Sequence, residues 1–477
     1  MPEIEFLEQN KIEEKRMKLI YQVEDKIPFG PLVVFALQQL LAIMTATLVV
    51  PIIIGHGMDS AAALFGAGVG TLIYVLFTAK RSPVFLGSSF AFLGSMSSAF
   101  AGAASAEAGF VGIIIGAFLA GLVYVLIALI VKLVGVKWID KLMPAVVVGP
   151  TVAIIGLSLA GNAIGDLTTG GYKVELLVEG QTQYVSTANP LVAVLCGLVA
   201  LFVTMLCSTF GKKTVKLIPF IFGILAGYAV CVILTLIGDA AGMEQLKLIS
   251  FDSFKALTEN GVSLSTFFRV PDFSFLKIGE GMKHVDSSYL ATVAVAYMPV
   301  AFVVFAEHIA DHKNISSIIE RNLLEDPGLH RTLLGDGVGS MVGAFFGGCP
   351  NTTYGESIGC VAITKNASVY TIIAASVGAI LISFFSPFIA FVNSIPPCVM
   401  GGICMALYGF IAVSGLKMVQ GVDLNKNKNL FVVSVILIAG IGGLTLSFGK
   451  VTVTEVACAL ILGIITNIML KNAPEEE

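Results

Sequence analysis

Roughly fourteen apolar runs, most of them near 20 residues long, follow one another along this chain, and that pattern excludes most folds. Inside a bilayer no water satisfies a free peptide group, so runs of this kind must close their own hydrogen bonds as helices. Of 477 residues, 56% are hydrophobic and 13% are charged, where a soluble domain carries roughly 25% charge. The chain therefore reads as an all-α polytopic membrane protein.

The spans read from the apolar runs are 30–55, 60–79, 82–100, 109–132, 138–162, 189–210 and 216–238, then 287–312, 329–347, 350–364, 367–391, 394–416, 429–448 and 452–470. Counting from a cytoplasmic N-terminus, one side collects Lys80, Arg81, Lys132, Lys137, Lys141, Lys212, Lys213, Lys216, Lys313, Arg321, Arg331 and Lys365, together with the N-terminal cations. Short loops on the other side hold only Lys173 and Lys450. That bias predicts both termini in the cytoplasm. The first 28 residues, with Glu3, Glu5, Glu8, Lys11 and Arg16 among them, are too polar and too long for a signal-peptide n-region. The stretches 163–188 and 239–286 are read as short strands, caps or disorder outside, and Asn314 to Pro327 as an amphipathic surface helix.

Eight cysteines fall mostly in apolar runs without a C-x-x-C pair, so they read as packing residues, and neither a metal site nor a cofactor is expected. His56, His284 and His330 are read as solvated. A net charge of −4 points to no nucleic-acid partner, and no nucleophile–base pair or phosphate loop suggests an enzyme.

Two runs are broken. The third reads Ser82-Pro83-Val84-Phe85-Leu86-Gly87-Ser88-Ser89-Phe90 and the tenth Cys349-Pro350-Asn351-Thr352-Thr353-Tyr354-Gly355-Glu356-Ser357. Pro lacks a donor, the β-branched and aromatic residues suit extended backbone, and Gly permits a turn. Each run is expected to be a short strand followed by a half-helix, with Ser88, Ser89 or Ser357 as cap. Both stand third in a set of seven. Because seven is odd, the halves enter from opposite sides, which is the pattern of an inverted repeat with a ligand where the broken helices meet. Helix N-termini there offer free N–H groups and a positive dipole end.

Charged residues fall beside them. Glu307 and Asp311 lie i,i+4 on one helix face, where mutual repulsion and lost solvation suit them to load and release a proton. His312 and Lys313 are read as the solvated helix end. Gln38, Gln39, Thr45, Thr47 and Asp336 are accounted for by helix-to-helix hydrogen bonds, with Gln38 or Gln39 near the ligand as the alternative.

The stretches LQQLLAIMTATLVVP at 37–51, FLGSSFAF at 85–92, FAEHIADH at 305–312, DPGLHRT at 326–332, GGCPNTTYGESIGCVAITK at 347–365 and PPCVMGG at 396–402 resemble the nucleobase-ascorbate transporter family, the nucleobase:cation symporters of the second kind, and within it the bacterial uracil permeases. The resemblance implies two inverted repeats of seven segments. Core parts would span 30–135 and 287–391, and gate parts 136–241 and 392–471. An extracellular loop would span 242–286, and cytoplasmic ends 1–29 and 472–477.

It further implies proton-coupled import of uracil across the plasma membrane by a homodimer whose core moves against its gate. Glu307 and Glu356 would accept the ring N–H groups, backbone amides at Phe90, Gly355 and Glu356 would reach its carbonyls, and Ala46 would wall the ring, with Ser89 and Tyr354 alongside. Glu307 and Asp311 would carry the coupling proton. Asp311 and Gln39 stand where relatives often have His, and Ser357 where the family signature has Asn. Sodium coupling, a xanthine, purine or urate substrate, and an anion exchanger or channel are the competing expectations.

Overall fold

The computed structural model describes residues 19–136, 138, 144–178, 181–212, 214–259, 261–448 and 451–471. The N-terminal cations before residue 19, Lys137, Lys141, Lys213, Lys450 and the tail from 472 lie outside the described residues.

The apolar runs become helices α1 (Phe29–Ile54), α2 (Ser60–Phe77), α3 (Leu93–Ala101), α4 (Ala106–Val134), α5 (Ala145–Ser158), α6 (Ala160–Leu167), α7 (Pro190–Phe210), α8 (Pro219–Ala241), α9 (Ser287–Ile319), α10 (Leu329–Gly347), α11 (Gly355–Thr364), α12 (Val369–Ser383), α13 (Ser386–Ser394), α14 (Pro397–Val419), α15 (Asn427–Ile441) and α16 (Glu455–Met469). Strands β1 (Leu86–Ser88) and β4 (Asn351–Thr353) pair antiparallel, ahead of α3 and α11. Strands β2 (Lys173–Val178) and β3 (Gln181–Ser186) form a hairpin after α6, and β5 (Leu446–Phe448) with β6 (Val451–Val453) another between α15 and α16. Among the described residues 8 helical spans are long and apolar enough to cross a membrane, and the other crossings are made by shorter or broken helices. The segments form two inverted repeats of seven.

Helix contacts sort into a core and a gate. In the core α10 packs on α2 and α4, α12 on α1 and α2, and α9 on α3 and α4. In the gate α14 packs on α5, α6 and α7, α8 on α7, and α15 and α16 on each other and on α5. The two meet where α9 touches β6, α16 and α5.

Small residues set the helix spacing, because lipid supplies no hydrophobic drive between helices and close van der Waals approach has to take its place. A Cβ on Gly66 of α2 would stand 2.7 Å from the carbonyl oxygen of Gly343 on α10, and one on Gly70 would stand 2.7 Å from that of Gly339. Where the chain continues from α11 toward α12 it is held by residues 20–25. Ile20 N donates to Lys365 O at 2.7 Å, Val369 N to Val23 O at 2.9 Å and Ser368 Oγ to Asp25 O at 2.6 Å. An ion pair from Glu24 to Arg321 carries that strap across to the end of α9.

Several expectations need correction. No separate surface helix spans Asn314 to Pro327, because α9 runs on to Ile319 and ends on Glu320 in the left-handed region. The fifth run breaks at Leu159 into α5 and α6, and the eleventh breaks at Phe384 and Phe385 into α12 and α13. The stretch 239–286 forms short helical turns, whereas 163–188 does contain strands. No serine caps the half-helices by its side chain: α3 starts after Phe92, itself the end of a 3₁₀ turn Phe90–Phe92, and α11 starts after Tyr354.

Gly66→Ala forces α2 off α10 and is expected to lose about 1–3 kcal/mol. Gly161→Ala in α6, with nothing within 4 Å of the added carbon, is expected to leave stability unchanged. Thermal unfolding of the two purified variants in one detergent checks the difference.

Candidate functional site

The site is built on the pairing of β1 with β4, in the register Leu86↔Thr353, Gly87↔Thr352 and Ser88↔Asn351. Three residues on each strand satisfy one another's peptide groups where both helices are interrupted. Ser89 N extends the pairing to Pro350 O at 2.8 Å and Tyr354 N to Phe85 O at 3.2 Å. Side chains fix the pair from all sides. Asn351 Nδ2 donates to Gly66 O at 3.2 Å, Thr71 Oγ1 accepts from Leu86 N at 2.9 Å, and Tyr354 Oη donates to Ser88 O at 2.6 Å. Ser357 Oγ accepts from Phe85 N at 3.0 Å and from the amide of Gln39.

Beyond the strands the chain turns into helix on each side. Gly355 is the first residue of α11, exposed, with open space around its Cα, and Glu356 follows it half-buried. First-turn amides of a helix have no partner four residues back, so those of Gly355 and Glu356 are directed at whatever lies before α11. Phe90 begins the turn on the other side, and its ring meets Tyr408 of α14 edge-on at 5.9 Å. The α11 face carrying Gly355, Gly359 and Ile363 is uncovered: Gly359 has nothing within 4 Å of an added Cβ and Ile363 is 45% exposed.

Glu307 and Asp311 sit half-buried on α9. Asp311 accepts a hydrogen bond from Thr353 Oγ1 at 2.7 Å, which ties α9 to β4. Glu307, Asp311, Asp336 and Glu356 are near enough for their charges to interact. The fold thus collects the predicted Glu307, Asp311, Glu356, Gly355 and Phe90 around the strand pair. Ser89 is fully buried with its hydroxyl unpartnered. Ala46 is buried in α1 with 1% exposure. The hydroxyl of Tyr354 is spent on the Ser88 carbonyl. Gln39 serves as a strut between α1 and α11, whereas Gln38 Oε1 is buried without a partner.

The reading of His312 as solvated fails. Its ring is fully buried, Nδ1 lies 2.8 Å from the His308 carbonyl and Nε2 lies 2.7 Å from Tyr74 Oη, which is 2.6 Å from Ser82 Oγ. A carbonyl only accepts, so in the neutral ring Nδ1 carries the hydrogen and Tyr74 donates to Nε2. His308 stacks on His312 at 3.9 Å, and its own Nδ1 lies 2.7 Å from Asp336 Oδ2 and its Nε2 3.0 Å from Thr332 Oγ1. Histidines at i,i+4 share a helix face, so the spacing signals the stacking of His308 on His312 but not their distant partners. His56 is exposed, stacked on Phe100 at 4.4 Å.

Two half-helices thus meet across a strand pair inside a polytopic bundle, with half-buried carboxylates beside them. The chain matches the family described as "Permease family" (Xan_ur_permease) over residues 30–448 and belongs to it. It is 36% identical to the uracil permease of Bacillus caldolyticus, covering 96% of each chain, and 33% identical to the uracil permease of Escherichia coli K12, covering 94% of this chain and 93% of that one. Its fold is similar to the transmembrane domain of the cyanobacterial bicarbonate transporter BicA, with a TM-score of 0.60, 14% identity and coverage of 94% and 100% of the two chains. It is also similar to SLC26A9, at 0.61 and 10% identity over 93% of this chain and 65% of that one.

Tyr74→Phe removes the hydroxyl between Ser82 and His312 and leaves the buried His312 Nε2 with only a long 3.5 Å contact to Ser82 Oγ, a loss of about 1–3 kcal/mol. Thermal unfolding should register it, while Tyr370→Phe, whose ring is only partly buried, serves as the neutral control.

Proposed function

We propose that this protein is a secondary transporter that imports uracil together with protons, by movement of the core against the gate. The reading rests on Glu307 lying within electrostatic reach of Glu356, a first-turn residue of α11. Uracil presents N–H donors and carbonyl acceptors in one plane. Carboxylates suit the donors, and helix-start amides at Phe90, Gly355 and Glu356 suit the carbonyls. Ala46 and Ser89 flank this space, and Tyr354 shapes it through the strand pair. The uracil permeases among the relatives support the same substrate.

Glu307 and Asp311 carry the coupled proton in this proposal. They share one face of α9, and Asp311 is held by Thr353 of β4, so a change of charge on α9 acts directly on the strand pair that carries the binding amides. An anion as cargo fits less well, because the acids gathered at the site would repel it. The working boundaries are a core of 30–135 and 287–391, a gate of 136–241 and 392–471 and an outer loop of 242–286. The protein would work as a homodimer in the plasma membrane with both termini in the cytoplasm.

Radiolabelled uracil uptake into proteoliposomes, with and without an inward proton gradient at fixed sodium, tests the reading. Accumulation should collapse with a protonophore, and Glu307→Gln should abolish gradient-driven accumulation in protein that still unfolds at the wild-type temperature. Uptake blocked by excess xanthine but not by uracil would overturn the substrate, and accumulation that follows sodium alone would overturn the coupling ion.

A further inference from the structure

Core and gate also touch at a place that the central site does not use. Ile218, the residue before α8, shares a small buried cluster with Ala42 of α1 and Cys360 of α11, apart from the main hydrophobic core. Ile218 belongs to the gate and the other two to the core. Both core residues stand one helical turn from the central site, Ala42 four positions before Ala46 and Cys360 four after Glu356. In each helix that turn is on the side of the strap of residues 20–25, since α1 begins at Phe29, soon after the strap, and α11 ends before Lys365, which the strap holds.

Two features mark this contact as one that forms and breaks. Beyond it α1 and α8 part around an apolar cavity of about 120 Å³, with Leu41, Met44 and Leu48 on one wall and Ile221 and Ile224 on the other. A void removes the contacts that would fasten the two faces along their length. In lipid, moreover, apolar side chains gain nothing by leaving their solvent, so the seat of Ile218 is worth only its van der Waals contacts. The second feature is the open face of α11 at Gly355, Gly359 and Ile363. It leads from the central site toward the strap, beside the turn that Ile218 covers.

We infer that Ile218 is a latch between gate and core. Seated against α1 and α11, it holds the conformation in which the site opens along α11, and it leaves that seat when the core moves against the gate. The inference rests on the transport reading above and adds the residue at which the two parts separate. Ile218 is a positioning residue, because it acts on uracil only through the helices that carry Ala46 and Glu356.

The test fixes the latch and then weakens it. Ile218→Cys is paired with the native Cys360 and, in a second variant, with Ala42→Cys, and each is oxidised in proteoliposomes by copper–phenanthroline with dissolved oxygen, wild type treated alike as the control. A disulfide is expected in at least one pair, and uracil uptake is expected to stop in the cross-linked protein and to return on reduction. In purified protein Ile218→Ala is expected to slow maleimide labelling of Ile363→Cys about threefold, as the open conformation loses population. Ile218→Val should keep most of the original rate, and the parent with its native cysteines serves as blank. No disulfide in either pair, uptake that continues undiminished through cross-linked protein, or labelling at position 363 that Ile218→Ala leaves unchanged overturns the latch. Wild-type uptake is a separate readout: its absence counts against the transport reading, while labelling at position 363 is scored without any transport.

Discussion

Everything at the centre of this protein depends on a six-residue antiparallel ladder between β1 and β4. A helix interrupted inside hydrocarbon exposes peptide groups that nothing in the lipid can satisfy. Here two interruptions, far apart in the chain, satisfy each other. The same ladder fixes where α3 and α11 begin, and so where two sets of first-turn amides point. A chain with only one broken segment would lack the partner, and a chain with none would lack the amides.

The ladder is held by its surroundings more than by its own length. Asn351 reaches carbonyls on α2 and α10, and these helices approach closely enough because glycines face each other there. Thr71 adds a further bond from α2, and Tyr354, Gln39 and Ser357 add cross-links from α1 and the start of α11. Polar residues in the apolar runs are therefore divided between two tasks. Most brace the strands, while Glu307, Asp311 and Glu356 remain half-buried beside them. Behind these acids the His308–Asp336 pair and the His312–Tyr74–Ser82 chain link α9, α10 and α2, with Asp336 Oδ1 left buried and unpartnered.

Sequence patterns were a good guide wherever the physics is local. Apolar runs located the segments, Pro and Gly located both interruptions, and i,i+4 spacing placed Glu307 and Asp311 on one face. Reasoning along the chain erred where the outcome depends on a distant neighbour. His312 looked like a solvated helix end because nothing near it in sequence announces Tyr74 or Ser82. The serines looked like caps because the groups that donate to Ser357, Phe85 N and the Gln39 amide, belong to other segments, and nothing local shows that Ser88 and Ser89 stay unpartnered. Asn314 to Pro327 looked like a separate surface helix because Glu320, Arg321, Glu325 and Asp326 suggested water, yet no breaker separates its first residues from α9.

The sequence by itself determined that the chain crosses a membrane many times, that two matched segments are broken and that acids accompany them, since each follows from hydrophobic length, residue geometry and spacing within a few turns. Only the tertiary structure decided that the breaks pair as one ladder in a defined register, and which polar side chains brace it and which stay half-buried beside it. Those outcomes are set by contacts between residues hundreds of positions apart. Their energies exist only once the helices have packed.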